Sequence, residues 1–315
     1  MRISDHLEGV KTVSIFGHVR PDGDCIGSTL ALTHYLKENY PDIDTKVFLE
    51  GFSSHFNIIP GTELVEKHFY NGQDTDLCII LDVSAPDRVG AGGGECLKNA
   101  RRSLCIDHHI KSGYELCGTN IIESDFGSAS ELLMTLMDKD KISRNTAICL
   151  YLGIAHDTGV FQFSATTPDT LKRVAFLLEK DIPFSDIIQN TYYCRTYNQV
   201  RATGAVMTGS KTAFDGKVIY GYLTYDDMKT YKVNSLEMDG IVDALREYDE
   251  CDVAIFMYPL RDSYKLSLRS KKIVDVNKVC NAFGGGGHVR AAGCQQKGDP
   301  EAIIKNVLEE IGKQL

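Results

Sequence analysis

The stretch TVSIFGHVRPDGDCIGSTLALTHYLK, residues 12–37, decides the fold. Its first five residues are a short apolar run with the β-branched and aromatic side chains of a strand. A polar segment with turn-forming Pro21 and Gly23 follows, and residues 26–37 then read as a helix. Strand, polar loop and helix make the first half of a βαβ unit. The pattern continues, with strand-like runs at 45–49, 77–83 and 103–106 and helical patterns at 130–138, 145–155 and 170–178. Such alternation predicts an α/β fold with a mostly parallel sheet flanked by helices. Ligands of open sheets bind beyond the carboxyl ends of the strands, so the polar residues just after each strand are the first candidates for chemistry.

Beyond residue 183 the pattern changes. Residues 183–203 are polar, helical and tyrosine-rich, and read as a connecting helix. Further on, strands are expected at 217–224, 253–258, 264–270 and 290–295, with helices at 236–246, 276–282 and 301–311. This predicts a smaller C-terminal α+β domain. The division expected is 1–185, a connecting segment at 186–205, and 206–315. The glycine-rich patch at Gly90–Gly94 reads as a flexible loop.

A chain of 315 residues is long enough for two domains, each with its own core. With 43% hydrophobic and 24% charged residues the composition is that of a globular protein, which excludes wholesale disorder. A net charge of -9 disfavours a protein that coats long nucleic acid by charge alone, but leaves room for a small anionic ligand. The ten cysteines are scattered with no CxxC pair, so reduced, buried thiols are expected rather than a disulfide framework or a zinc site. No run approaches the roughly 18 uncharged apolar residues of a membrane span. The opening MRISDHLEGVK is acidic where a signal peptide needs an apolar core, so a cytoplasmic location and no membrane partner are expected.

Four segments place metal-ligand side chains after a strand or at a helix end. GHVRPDGDCIGS presents His18, Asp22 and Asp24; Asp82 follows LCIIL; Asp107, His108 and His109 follow SLCI; Asp157 sits in AHDTG after an apolar helix. Taken singly, an Asp after a strand is a turn former or a helix cap, and DGD is a turn. Together they have a different meaning. Asp22, Asp24, Asp82 and Asp157 converging in one cleft would carry four negative charges, whose crowding two divalent cations would cancel. His18 and His108 add neutral nitrogen ligands, and this mixture suits Mn²⁺, then Co²⁺ or Fe²⁺, better than Ca²⁺. Two such ions about 3.5 to 4 Å apart activate water and stabilise phosphoryl oxygens. His109 is a candidate contact to phosphate or leaving group, and Asp107 a residue that orients an imidazole.

The motif set resembles the DHH phosphoesterase superfamily, and within it the DHH/DHHA1 proteins. The matching residues are GHVRPDGDCIGS, Asp82, DHH at 107–109, AHDTGVFQF, LSLRS and GGGGHVRAAG, in an order spanning residues 13–293. The resemblance implies a DHH catalytic domain followed by a DHHA1 substrate-binding domain. It implies that His18, Asp22 and Asp82 hold one metal, and that Asp24, Asp82, His108 and Asp157 hold the other, with Asp82 as bridge and catalytic centrepiece. The compact NrnA-like subfamily fits best, since the chain leaves no room for the extra domain of RecJ exonucleases and lacks the membrane helices of GdpP-type enzymes. Mn²⁺-dependent release of 5'-mononucleotides from very short RNA or DNA is the expected activity, with dephosphorylation of 3'-phosphoadenosine 5'-phosphate (pAp) as a second. Hydrolysis of cyclic dinucleotides or linear pApA is the neighbouring alternative, and a nucleotide sensor without turnover the remote one. A homodimer is left open.

In the second domain, strand alternation puts Lys265, Ser267 and Arg269 on one face, a phosphate-facing row or simply solvated charge. Gly284–Gly287 offer backbone amides to an anion, or form a structural turn, and His288 adds a donor. The expected substrate-binding set is Arg261, Arg269, Ser270, Gly285, Gly286, Gly287 and His288. Tyr192 and Tyr193 are candidates to stack on a base. Cys25, beside Asp24, would make the site oxidation-sensitive unless burial keeps it inert.

Overall fold

The computed structural model describes residues 2–110 and 115–315, and the chain divides into two units, Met1–Cys194 and Arg195–Leu315. In the first unit the elements run β1 (Thr12–Phe16), α1 (Gly23–Asn39), β2 (Asp44–Phe48), β3 (Leu77–Leu81), α2 (Gly93–Asn99), β4 (Arg102–Asp107), β5 (Thr119–Ile122), α3 (Ala129–Leu136), α4 (Arg144–Asp157), α5 (Pro168–Leu178) and α6 (Phe184–Thr191). The five strands form a wholly parallel sheet in the order β2-β1-β3-β4-β5. The central β3, LCIIL, is buried along its whole length, as a strand covered on both faces must be.

Helix α1 packs across α4 at a backbone-to-backbone contact. A Cβ on Gly27 would lie 2.6 Å from the Cys149 carbonyl oxygen and 2.7 Å from the Gly153 nitrogen. Only glycine permits that approach. The contact brings the N-terminus of α1, with Asp22 and Asp24, to the C-terminus of α4, with Asp157. On the opposite face of the sheet, Phe16 stacks on Phe48 at 5.1 Å and both meet the edge of Tyr70. The Gly90–Gly94 patch belongs to this cluster and is no flexible loop. A Cβ on Gly93 would meet the Phe16 ring at 2.9 Å, one on Gly92 would meet the Tyr70 carbonyl at 2.9 Å, and α2 starts within the patch.

The second unit runs α7 (Tyr197–Thr208), β6 (Lys211–Ala213), β7 (Val218–Tyr222), α8 (Tyr225–Tyr231), α9 (Ile241–Arg246), β8 (Val253–Leu260), β9 (Ser263–Ser270), α10 (Val276–Asn281), β10 (Gly286–His288), β11 (Ala291–Gln296) and α11 (Pro300–Gly312). Its sheet is mixed, in the order β10-β11-β9-β8-β7-β6, with β7 and β8 parallel and the other pairs antiparallel. The expected single connecting helix is two, α6 ending at Thr191 and α7 capped by Thr196. Among the described residues no helix is long and apolar enough to cross a membrane.

Candidate metal centre and basic row

The DGD segment is the start of a helix rather than a free turn. Asp22 is the N-cap of α1, and its Oδ1 accepts from the backbone amides of Asp24 and Cys25, both at 3.1 Å. Its Oδ2 remains 3.5 Å from Nε2 of His18. His18 shares a 2.9 Å hydrogen bond between Nδ1 and the Val19 carbonyl, so Nδ1 donates and Nε2 is the nitrogen turned toward the carboxylates. Nε2 also lies 3.4 Å from Oδ2 of Asp82.

Asp82 follows β3 with φ 57, a left-handed conformation that asparagine and aspartate tolerate better than most residues. Its second oxygen, Oδ1, is 3.6 Å from Nε2 of His108. The buried Asp82 carboxylate thus shows one oxygen to each imidazole. His108 repeats the arrangement of His18: Nδ1 donates to the Phe126 carbonyl at 3.2 Å, and Nε2 faces Asp157 at 3.0 Å and Asp24 at 3.8 Å. Asp24 is fully buried, and its carboxylate accepts from the amides of Ala129 (2.6 Å) and Ser130 (3.0 Å) at the N-terminus of α3. A Cβ on Gly153 would sit 2.5 Å from Asp24 Oδ1, so α4 leaves a notch for this carboxylate.

All six expected metal ligands therefore gather in the first unit, as two groups that share Asp82. Donors held about 2.1 Å from a common ion are roughly 3 Å apart at right angles and nearly 4 Å apart at wider angles. The observed separations fall in that interval, and the donor set fits two divalent cations. Among the described residues the ion-pair partners of these four carboxylates are imidazoles. Burial lifts the Asp24 carboxyl well above its usual range, and the neighbouring Asp82 and Asp157 lift it further. Burial lifts Asp82 too. His108 is raised well above its ordinary value because, against burial, Asp157, Asp24 and Asp82 favour its cation.

His109 points its Nδ1 at Asp107, which accepts at 2.7 Å; the same nitrogen is 3.7 Å from Asp82. Against the effect of burial, Asp107 and then Asp82 raise the His109 pKa. Burial pushes the Cys25 thiol up to about 12, which disfavours its reactive thiolate form. Among the described residues all ten cysteines are unpaired by disulfides.

In the second unit the register of β10, β11 and β9 aligns His288 with Ala291 and Arg269, and Gly286 with Gly293 and Ser267. Directly opposed residues share a face, so Lys265, Ser267, Arg269 and His288 line one side of the sheet over a floor of Gly286, Ala291 and Gly293. The floor is close to the basic groups, since a Cβ on Gly293 would meet Lys265 Nζ at 2.8 Å. Asp243 of α9 holds Arg269 Nε at 3.2 Å. Two expected members fall outside this row. Ser270 alternates to the opposite face, where its buried hydroxyl meets the Val289 carbonyl at 3.4 Å and Arg290. Arg261 is exposed in the β8–β9 turn, about 20 Å along the strand from Arg269 at roughly 3.3 Å per residue. Gly285 and Gly287 are fixed by packing: a Cβ on either would collide with the β11 backbone, at 2.3 Å from the Gly293 oxygen and 2.5 Å from the Ala291 oxygen. The glycine run is thus partly a short strand rather than a turn.

The family model for the DHH family, N-terminal domain, matches residues 12–154, and the model for the DHHA1 domain matches residues 215–315. The chain is a DHH/DHHA1 protein. The DHH family comprises phosphoesterases, hydrolases that act on phosphoric esters. A Thermus thermophilus relative, named bifunctional oligoribonuclease and PAP phosphatase NrnA, is 27% identical over 99% of this chain and 93% of its own length. A Bacillus subtilis protein of the same name is 25% identical over 91% of each. A solved Bacteroides fragilis structure, described as an exopolyphosphatase-related protein, has a TM-score of 0.87 at 25% identity, covering 98% of this DHH/DHHA1 chain and 94% of that one. RecJ from Thermus thermophilus in complex with Mn²⁺ shares the fold at a TM-score of 0.54 and 13% identity, over 98% of this chain and 53% of RecJ.

What the motifs did not reveal is the scaffolding of the ligands. Ser128 caps α3 by accepting from the Glu131 amide at 2.9 Å, and buried Glu131 accepts from the Gly127 amide and pairs with Arg173. This holds the loop whose Phe126 carbonyl orients His108. The Ser-x-x-Glu pattern at 128–131 was the available signal, although Glu131 accepts from the Gly127 amide rather than from that of the N-cap Ser128.

Proposed function

We propose that the protein is a manganese-dependent phosphohydrolase that removes 5'-mononucleotides from very short RNA or DNA and dephosphorylates pAp. The observation that carries this reading is the Asp82 carboxylate, with one oxygen toward His18 and the other toward His108. Support for the substrate class comes from the names of the full-length relatives and from the basic row of the second unit.

His18, Asp22 and Asp82 would hold one ion, and Asp24, Asp82, His108 and Asp157 the other. Bound there, the metal pair would supply a water nucleophile at neutral pH and a counter-charge for the phosphoryl oxygens. The chain's own residues do the rest. The Val19 and Phe126 carbonyls fix the His18 and His108 tautomers, and the α3 amides fix Asp24. His109, whose imidazolium Asp107 favours, holds a proton at hand for the leaving oxygen. Arg269 and His288, joined by Lys265, would hold the substrate's distal phosphate, with the Gly286 and Gly287 backbone in the floor beneath. Arg261 and Ser270 are left out of this set.

The test compares initial rates, with Mn²⁺, on pAp, pApA, two- to five-nucleotide RNA and long single-stranded DNA. Fastest turnover on the short substrates and pAp is expected. Fastest degradation of long DNA, or binding without product, would overturn the assignment, and a marked preference for pApA would select the dinucleotide alternative.

A further inference from the structure

His156, next to Asp157, has no place in the ligand set, yet it touches the backbone between two ligands. A Cβ on Gly23 would lie 2.2 Å from His156 Cγ and 2.3 Å from Nδ1. The imidazole therefore rests on the Gly23 Cα, between Asp22 and Asp24. This contact lies one helical turn beyond the Gly27–Gly153 crossing, with Gly23 and Gly27 spaced i, i+4 on α1. The second side of the ring is anchored as well. Thr191 Oγ1 donates to the Ile187 carbonyl at 2.7 Å, so its 2.9 Å bond with His156 Nε2 must be donated by the imidazole. The Phe56 ring at 5.4 Å and the edge-on Tyr192 ring at 5.3 Å complete the seat.

We infer that His156 is a positioning residue: it wedges the Asp22–Asp24 turn against the C-terminal end of α6 and thereby sets the spacing of the dinuclear cradle. The inference rests on the metal reading above. Its physical basis is that Gly23 has no side chain of its own to pack, so the ring supplies the contact that fixes the turn. The hydrogen bond to Thr191 and the Phe56 and Tyr192 rings in turn fix the ring. The last helix of the first unit, α6, is thus linked through one side chain to two metal ligands, while the neighbouring residue, Asp157, is a third.

The test is a titration of metal-free protein with Mn²⁺, followed by the electron paramagnetic resonance of free and bound ion, in wild type, Thr191→Val, His156→Leu and His156→Gln. Thr191→Val removes the acceptor without changing the shape, and Gln keeps a donor near the position of Nε2. Groups that orient ligands typically contribute 10- to 100-fold in metal affinity. The expected result is a loss of that order in His156→Leu, a smaller loss in Thr191→Val and partial recovery in His156→Gln. Ile148→Val, a core change in the same helix, is expected to lower the melting temperature with unchanged Mn²⁺ affinity. Wild-type affinity in both Thr191→Val and His156→Leu would overturn the inference alone, as would an affinity loss that Ile148→Val reproduces. Wild-type protein that takes up no Mn²⁺ would overturn the metal reading and this inference together.

Discussion

Replacing Asp82 with Asn separates the role of its charge from the role of its shape. Asn keeps the size of the side chain and tolerates the left-handed φ of 57 at this position, whereas alanine would add strain of about 1 to 2 kcal/mol. The fold should therefore survive, the more so because a carboxylate lifted by burial and by neighbouring Asp22 is removed from the cluster. Metal binding should not survive, since each ion loses its shared anionic ligand. In wild-type protein, Mn²⁺ at 100 times its dissociation constant stabilises the native state by about 2.7 kcal/mol per site. For a unit of 150 to 250 residues that corresponds to a rise of roughly 5 to 10 °C in melting temperature. In Asp82→Asn the rise at the same Mn²⁺ concentration should vanish, while the metal-free melting temperature stays close to that of wild type. Turnover should fall by more than about 100-fold, because groups that merely orient ligands already contribute 10- to 100-fold in affinity or activity. Differential scanning fluorimetry with and without Mn²⁺, run beside the dinucleotide assay, reads both quantities. An undiminished Mn²⁺-induced rise, or turnover within tenfold of wild type, would refute the bridging role.

Gly153→Ala puts a methyl group 2.0 Å from Ser130 Oγ and 2.5 Å from Asp24 Oδ1. Overpacking of this kind should lower stability by about 1 to 3 kcal/mol in urea denaturation and weaken Mn²⁺ binding. Arg269→Ala should raise KM with little change in kcat, because the guanidinium is proposed to bind the same phosphate in ground and transition states. Normal KM with reduced kcat would show a different role. Asp107→Asn removes the carboxylate that favours the His109 cation, so the His109 pKa should fall and the acid form should be lost at a lower pH. The basic limb of the kcat profile should then move to lower pH, and an unmoved limb would remove His109 as proton donor.

The parallel sheet was legible because its central strands are unbroken apolar runs such as LCIIL, and the helices because their apolar residues recur in a helical pattern. The strand TNII was not, because its residues are all half-buried and it sits at the sheet edge, where the apolar signal is weakest. Gly90–Gly94 looked mobile because composition cannot show that the missing side chains make room for the rings of Phe16 and Tyr70. The candidate ligand positions were legible as polar residues after strands, and the structure brings them together. Their holders were not, since the α3 amides reach Asp24 across more than a hundred residues of sequence. Strand alternation placed Lys265, Ser267 and Arg269 together correctly, and the same alternation turns Ser270 away.

Anomalous diffraction at the manganese edge, from crystals of the protein grown with Mn²⁺, tests the central claim most directly. Two peaks about 3.5 to 4 Å apart are predicted, with the Asp82 carboxylate between them, His18 on one and His108 on the other. A single peak, or two peaks that do not share Asp82, would contradict it.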